Sequence, residues 1–301
     1  MPAHRRNLGF VLKHWYRETG AELGHIRYAG KSKLGANAMA LRALVASPDL
    51  ERRYLLQAQR LARGIQSLAD ASGAFEPWFV KPKYPYDAQY LLTFYSGEAI
   101  LALAEYALAT GDLDAMRTAV RSQRFYLARY VDAIDRYYYP AYVPWHTQSL
   151  LLLHRETGEP TFARAVGLLN DTLLTFLDRT TYKGRFHDPA YPHYGPPHSA
   201  ADAVYVESLA YAFELALEQA DQMRVRRYGE AIILGLGHLV DLQYTTGMVP
   251  PSADPARVVG AFRASVEDPE IRVDSVQHAI EAFGQVRSVA CRGRLHISAG
   301  K

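Results

Sequence analysis

The stretch that most constrains this chain runs from Phe94 to Asp112. It opens on aromatic and polar residues (Phe94-Tyr95-Ser96-Gly97-Glu98), continues as an Ala/Leu-rich apolar run and stops at Thr110-Gly111-Asp112. Glycine there can take the left-handed conformation that closes a helix. The chain then repeats the pattern. Trp145-His146-Thr147-Gln148 leads into Ser149–His154 and ends at Thr157-Gly158-Glu159, with Gly158 47 residues beyond Gly111. Tyr205-Val206-Glu207 leads into Ser208–Phe213 and ends near Asp221. Lys33–Asn37 before Ala38–Leu41, and Val273–His278 before Ala279-Ile280, read as the first and last copies. Self-similarity of this kind is the mark of repeated helix pairs.

Between these copies lie segments of a different character. Residues 49–68 carry Leu55, Leu56, Leu61, Ile65 and Leu68 on one face and Arg/Gln on the other, and 113–133, 161–178 and 223–243 follow the same rule. A helix apolar all round is buried, whereas one with a polar stripe keeps a wet face. The alternation therefore predicts inner helices at 35–46, 99–109, 146–156, 203–219 and 273–286, each but the last followed by an outer one. After the outer helices the sequence offers Gly73-Ala74-Phe75, Gly184-Arg185-Phe186 and Gly247-Met248-Val249, each a turn glycine with an apolar residue two positions on to pin the exit loop. The loops 76–94, 135–145, 187–202 and 250–270 are long and rich in Pro and aromatics, a length usually tied to function. A short amphipathic helix is expected within residues 8–18, and the tail from about Arg287 loses the helical pattern. Nothing resembling a linker interrupts the series, so a single all-α domain is expected.

Composition narrows the function. The 301 residues are 49% hydrophobic and 22% charged, with a formal charge of +3. So small an excess gives no electrostatic case for nucleic acid. The single cysteine, Cys291, rules out an internal disulfide framework and fits a reducing compartment. The N-terminus has no apolar core of signal-peptide type, and no uninterrupted apolar run is of spanning length. The expectation is a soluble, cytoplasmic protein with no membrane partner.

Buried inner helices, Gly-x-apolar exits and aromatic lead-ins resemble the six-hairpin glycosidase-like superfamily over roughly residues 33–286. The resemblance implies an (α/α) toroid. It also implies a carbohydrate-active enzyme, because the superfamily holds glycoside hydrolases, N-acylglucosamine 2-epimerase-type isomerases and uronate epimerases. Five inner and four outer helices leave a six-pair ring incomplete or open unless residues 8–18 supply a piece. The isomerase members use a histidine pair, but no motif here matches a histidine of this chain to theirs.

Placed on such a scaffold, the lead-ins form a ring of polar residues: Asn37, Glu98, Gln148, Glu207 and Gln277. Tyr95, Trp145, His146, Tyr205, Asp274 and His278 stand around them. Stacking platforms beside convergent carboxylates, amides and imidazoles suit a saccharide or uronate. The same residue types also serve as plain helix caps. Glu98, Glu207 and Asp274 are the acid–base candidates for glycoside hydrolysis, which needs two carboxyl groups. His146 and His278 are the bases for an epimerisation, which needs a proton removed and returned. The sequence does not choose between the two chemistries.

The segment Arg185–His198, with Arg185 and His187 at its start, reads as a substrate-contacting lid or an ordered surface loop. Its three histidines and aspartate lack standard zinc spacing, so no metal is expected. Trp78, Tyr84, Tyr86, Tyr90 and Tyr137-Tyr138-Tyr139 are further platform or packing aromatics. Arg272 can pair with Asp274 or with a substrate carboxylate. No nucleophile elbow and no phosphate-binding glycine loop is present, and no cofactor is expected. The competing reading is a noncatalytic helical-repeat module that binds a glycan, peptide or protein partner, or a second copy of itself, along an open groove.

Overall fold

A computed structural model of the chain describes residues 2–134, 140–187 and 198–291. The Tyr137–Tyr139 run and most of the His187–His198 loop lie outside these residues. The helices fall into two compact units, residues 1–165 and 166–301, divided within one helix.

The first unit begins with α1 (Pro2–His14) and an antiparallel hairpin, β1 (Tyr16–Thr19) and β2 (Leu23–Ile26), which pairs Tyr16 with Ile26. A second short pair joins β3 (Ser32–Lys33) to β4 (Trp78–Val80). The helices are α2 (Leu34–Val45), α3 (Leu55–Gln66), α4 (Ala88–Thr110), α5 (Leu113–Tyr126), α6 (Val143–Thr157) and α7 (Pro160–Leu173), in which the division falls. π-helical turns at Leu50–Tyr54 and Leu127–Val131 adjoin α3 and α5. The helix at the N-terminus thus sits earlier than expected, and residues 16–26 form strands instead.

Local chemistry sets the helix ends. Asp87 and Asp112 accept from the amides of Tyr90 and Ala115, each at 3.0 Å, and so open α4 and α5. Gly111 and Gly158 close α4 and α6 at φ +76° and +69°, as their Thr-Gly endings predict. α4 begins earlier than its apolar run, because the Asp87 cap draws residues 88–94 out of the expected loop and into the helix. It packs against α2, α5 and α6, burying Ile100, Leu101, Leu103 and Tyr106. By length and hydropathy alone this helix is of membrane-spanning size. Where α4 meets α6, a Cβ on Gly97 would lie 2.6 Å from Trp145 Cβ and 3.0 Å from the His146 amide. Only glycine allows that approach.

The second unit holds the rest of α7, then α8 (Ser199–Glu218), α9 (Gln222–Leu242), a short α10 (Pro255–Val258) and α11 (Val273–Val289). α8 packs on both α9 and α11, and Val206, Leu209, Phe213 and Leu239 are among its buried core.

The exit turns confirm one pattern and correct another. Phe75 bridges back to Ala69 beyond α3, and Phe186 bridges to Leu177 beyond α7, after Gly73 at φ +98° and Gly184 at φ +92°. In the third turn the bridge is Gln243 to Phe262, and the positive-φ glycine is Gly260 at +90°. The third copy is therefore Gly260-Ala261-Phe262. Gly247, expected to open it, lies in a 3₁₀ turn (Thr246–Met248). All three phenylalanines are 4% exposed.

Candidate functional site

In the first unit the predicted residues divide into two kinds. Asn37 is fully buried, and its Oδ1 accepts from the Ile26 amide at 2.7 Å and from Ser32 Oγ at 3.4 Å. It pins the hairpin to α2. Trp78 is buried against Tyr86, edge-on at 5.6 Å.

His146 is wired into the core. Ser96 Oγ donates to the Leu92 carbonyl at 2.6 Å, so toward His146 Nε2, 3.0 Å away, it serves as acceptor. Gln123 Nε2 lies 3.2 Å from Nδ1, and its Oε1 accepts from Ser149 Oγ at 2.6 Å. The wiring matches a neutral ring with its hydrogen on Nε2. The rings of Tyr126 and Tyr130 pack against it. Burial pushes the imidazole down to about 3. A ring so enclosed has no open nitrogen for exchanging protons with a substrate, so His146 takes no part in the function proposed below.

Glu98 and Tyr95 are half-buried and share the space over Gly35, where a Cβ would collide with Glu98 Oε2 and the Tyr95 ring. Burial, and then the neighbouring Glu98, push the Tyr95 phenol up. Trp145 and Gln148 are buried on α6. Arg42, bidentate to Glu105 at 2.7 and 2.9 Å, lies 5.7 Å from the Trp145 ring. Glu98 and Tyr95 on α4 and Trp145 and Gln148 on α6 thus stand on two packed helices of the first unit.

The second unit gathers the titratable groups at the start of two packed helices. α8 begins at His198, whose Nδ1 accepts from the Ala201 amide at 3.3 Å. With Nδ1 so occupied, the neutral ring carries its hydrogen on Nε2. Burial, then the charge of Arg272, pushes His198 below its usual range, and Asp202, Asp274 and His278 also act on it electrostatically. Asp202 is 1% exposed. Its Oδ1 accepts from the Phe186 amide at 2.8 Å and its Oδ2 lies 3.3 Å from His238 Nε2. The small cleft here is lined by Tyr182, Arg185, His198, Asp202, His238 and Glu267. The Arg185 guanidinium stacks 3.9 Å over the Tyr182 ring.

Two positions of α11 complete the group. His278 Nδ1 stands 3.6 Å from Glu207 Oε2 on α8, with side-chain exposures of 16% and 6%. Asp274 is gripped by Arg272, at 3.0 Å from Nε and 2.5 Å from Nη2. That guanidinium holds its carboxyl below the usual range. Tyr205 is half-buried with its ring edge-on to Phe186 at 5.4 Å. Gln277 and His187 are exposed. Among the described residues, no group of three or more His, Cys, Asp or Glu side chains is placed to hold a metal ion.

Sequence reasoning passed over His198, Asp202 and His238. His198 was visible only as one of three histidines in a proline-rich loop. The signal that could have found it is its place directly before Ser199-Ala200-Ala201-Asp202, as the polar residue opening an apolar helix.

No protein-family model matches the chain, and no curated protein does. Solved structures do. A sugar epimerase from a ruminal bacterium superposes over 100% of this chain and 88% of its own, with a TM-score of 0.64 at 15% identity. A GH76 alpha-mannanase from Bacteroides thetaiotaomicron gives 0.65 at 10% identity over 97% of this chain and 81% of its own. An unsaturated glucuronyl hydrolase specific for heparin gives 0.57 at 10% identity over 85% and 73%. At such identities the likeness establishes architecture and not activity. In fold, the chain resembles these proteins: it is built of paired α-helices of the (α/α) toroid type.

Proposed function

We propose that this chain is a sugar-processing enzyme that isomerises or epimerises a reducing sugar by imidazole acid–base chemistry in the second unit. The observation that carries the reading is the His278–Glu207 pair at 3.6 Å, with His198 within its electrostatic reach. At 3.6 Å the carboxylate makes no hydrogen bond to Nδ1 but favours a hydrogen there electrostatically, which assigns the role of base to Nε2. His198, held below its usual range by burial and then by the charge of Arg272, offers an Nε2–H donor.

The step these groups support is proton abstraction at a carbon next to a carbonyl. His278 Nε2 takes the proton, and the C–H electron pair forms the carbon–carbon double bond. The carbonyl oxygen becomes an enolate stabilised by His198 Nε2–H. Return of the proton by His278 to the former carbonyl carbon, as the hydroxyl proton moves from its oxygen to the enolate oxygen, gives a ketose. A proton delivered to the opposite face of the first carbon by His198 Nε2–H, with His278 keeping the one it removed, gives an epimer.

Hydrolysis is the second reading, favoured by the presence of Glu207 and Asp274. It needs one carboxyl group protonated near neutral pH. Asp274 is instead held ionised by Arg272. The test is incubation of the protein with reducing mono- and disaccharides and uronates in D₂O, followed by NMR. Deuterium entering the carbon next to the carbonyl, lost in Glu207→Gln and His278→Gln, supports the proposal. Glycoside cleavage without exchange would replace it with hydrolysis. Specific binding without either reaction would make the chain a noncatalytic glycan-binding module.

A further inference from the structure

α2 is apolar on both sides. Leu34, Ala38, Leu41 and Leu44 are buried at 1% exposure or less. The opposite side, with Ala36, Met39 and Ala40, lines a cavity of about 530 Å³. Leu8 and Val11 of α1, Trp15 and Ile26 form its other walls. A helix apolar on two sides ordinarily buries both, yet this side meets open volume. That volume lies within the ~300–1,000 Å³ typical of small-molecule sites.

The cavity lining is apolar apart from Tyr28 and two lysines. Lys31 and Lys33 line it. The Lys31 ammonium donates to Tyr84 Oη at 2.8 Å, and that of Lys33 lies 5.9 Å over the Trp78 ring. Neither makes an ion pair with a carboxylate among the described residues. The adjoining surface around Trp15 and Tyr28 adds Arg17 and Arg27. An apolar lining that also carries cations is complementary to one ligand class: a hydrocarbon chain ending in an anion.

We propose that this cavity binds a single-chain anionic amphiphile, with its tail between α1 and α2 and its head at Lys31 and Lys33. Its lining shares no residue with the acid–base groups of the second unit. The probes are hexanoate, octanoate and decanoate below their micellar concentrations, titrated into the intact chain by calorimetry. Binding should tighten about fourfold for each added methylene, the increment expected for burying one CH₂. Octanol should bind more weakly than octanoate, and octyltrimethylammonium should not bind. Changing both lysines to glutamine should weaken octanoate tenfold or more and leave octanol unchanged.

Ala40→Phe should fill the cavity and abolish binding of both. Ala36→Leu serves as a second filling variant, with circular dichroism reporting whether each has folded. The proposal is overturned if no alkanoate binds, or if the cation binds as well as the anion. It is also overturned if binding survives both folded filling variants. A dimer in sedimentation velocity that Ala40→Phe breaks and octanoate leaves intact would assign the face to a second copy instead.

Discussion

Replacing His146 by glutamine should flatten the protein's stability between pH 8 and pH 5. In the folded state burial lowers this imidazole to about 3, against about 6.5 in an unfolded chain. The unfolded state therefore takes up the proton first as the pH falls. A folded pKa below the unfolded one leaves stability intact above pH 6.5 and erodes it on descent, until the loss saturates near pH 3. At pH 5 the ring is about 1.5 units below its unfolded pKa. At about 1.36 kcal/mol per unit this removes about 2 kcal/mol, and over the whole descent about 5 kcal/mol. Net stabilities are about 5–15 kcal/mol, so one core histidine carries a large share of the acid sensitivity. Burial is the cause, and the amide nitrogen of Gln123, 3.2 Å from Nδ1, offers a second proton there no acceptor.

The assay is urea unfolding of both proteins, followed by circular dichroism at pH 8, 6 and 5. His146→Gln should lose stability at pH 8, because Ser96 and Gln123 lose a partner at about 1–3 kcal/mol. The quantity that matters is the difference between pH 8 and pH 5, which should shrink by about 2 kcal/mol in the variant. His25 and His198 are also held down by burial, but they are present in both proteins and cancel. An unchanged pH difference would refute the reasoning, because His146 would then titrate alike in the folded and unfolded chains.

Three further outcomes are expected. Gly97→Ala should cost about 1–3 kcal/mol through overpacking against Trp145, measured as a lower urea midpoint. Asp202→Ala should cost a similar amount by leaving the buried Phe186 amide without its acceptor, and a protein of unchanged melting temperature would contradict this. In Arg272→Gln the Asp274 carboxyl should titrate at higher pH than in the parent, because the guanidinium that holds it down is gone. Carbon-detected NMR of the carboxyl resonance reads that shift directly.

The helices were legible because two kinds of patterning alternate. Runs such as Ala99–Ala109 are apolar all round, while 113–126 keeps an arginine stripe, and each ends at a residue whose conformational preference marks the boundary. The hairpin at residues 16–26 was not legible. Its strands are four residues long and lie among glycines, so no period emerges from them. The third exit turn was misassigned for a related reason. Gly-x-apolar is a short pattern that Gly247 satisfies by composition, whereas the turn is defined by a bridge between Gln243 and Phe262 that adjacent residues do not encode. At the candidate site, Glu207, Asp274 and His278 emerged from their common place in the repeat. His146 emerged by the same logic, but its surroundings come from α4 and α5. No reading of α6 alone shows that Ser96 and Gln123 occupy both ring nitrogens.

The bridged turns leave this scaffold open to insertion. Each is closed at its base by a backbone pairing and a buried phenylalanine, so the length of chain above the base is thermodynamically cheap. Going from Ala69–Phe75 to Gln243–Phe262 roughly triples the loop, at an entropic cost of about 1 kcal/mol. A segment long enough to hold its own short helix, Pro255–Val258, has been accommodated there. A peptide epitope or a small guest domain grafted between Gly247 and Gly260 should therefore be carried by the host helices at little expense to their folding.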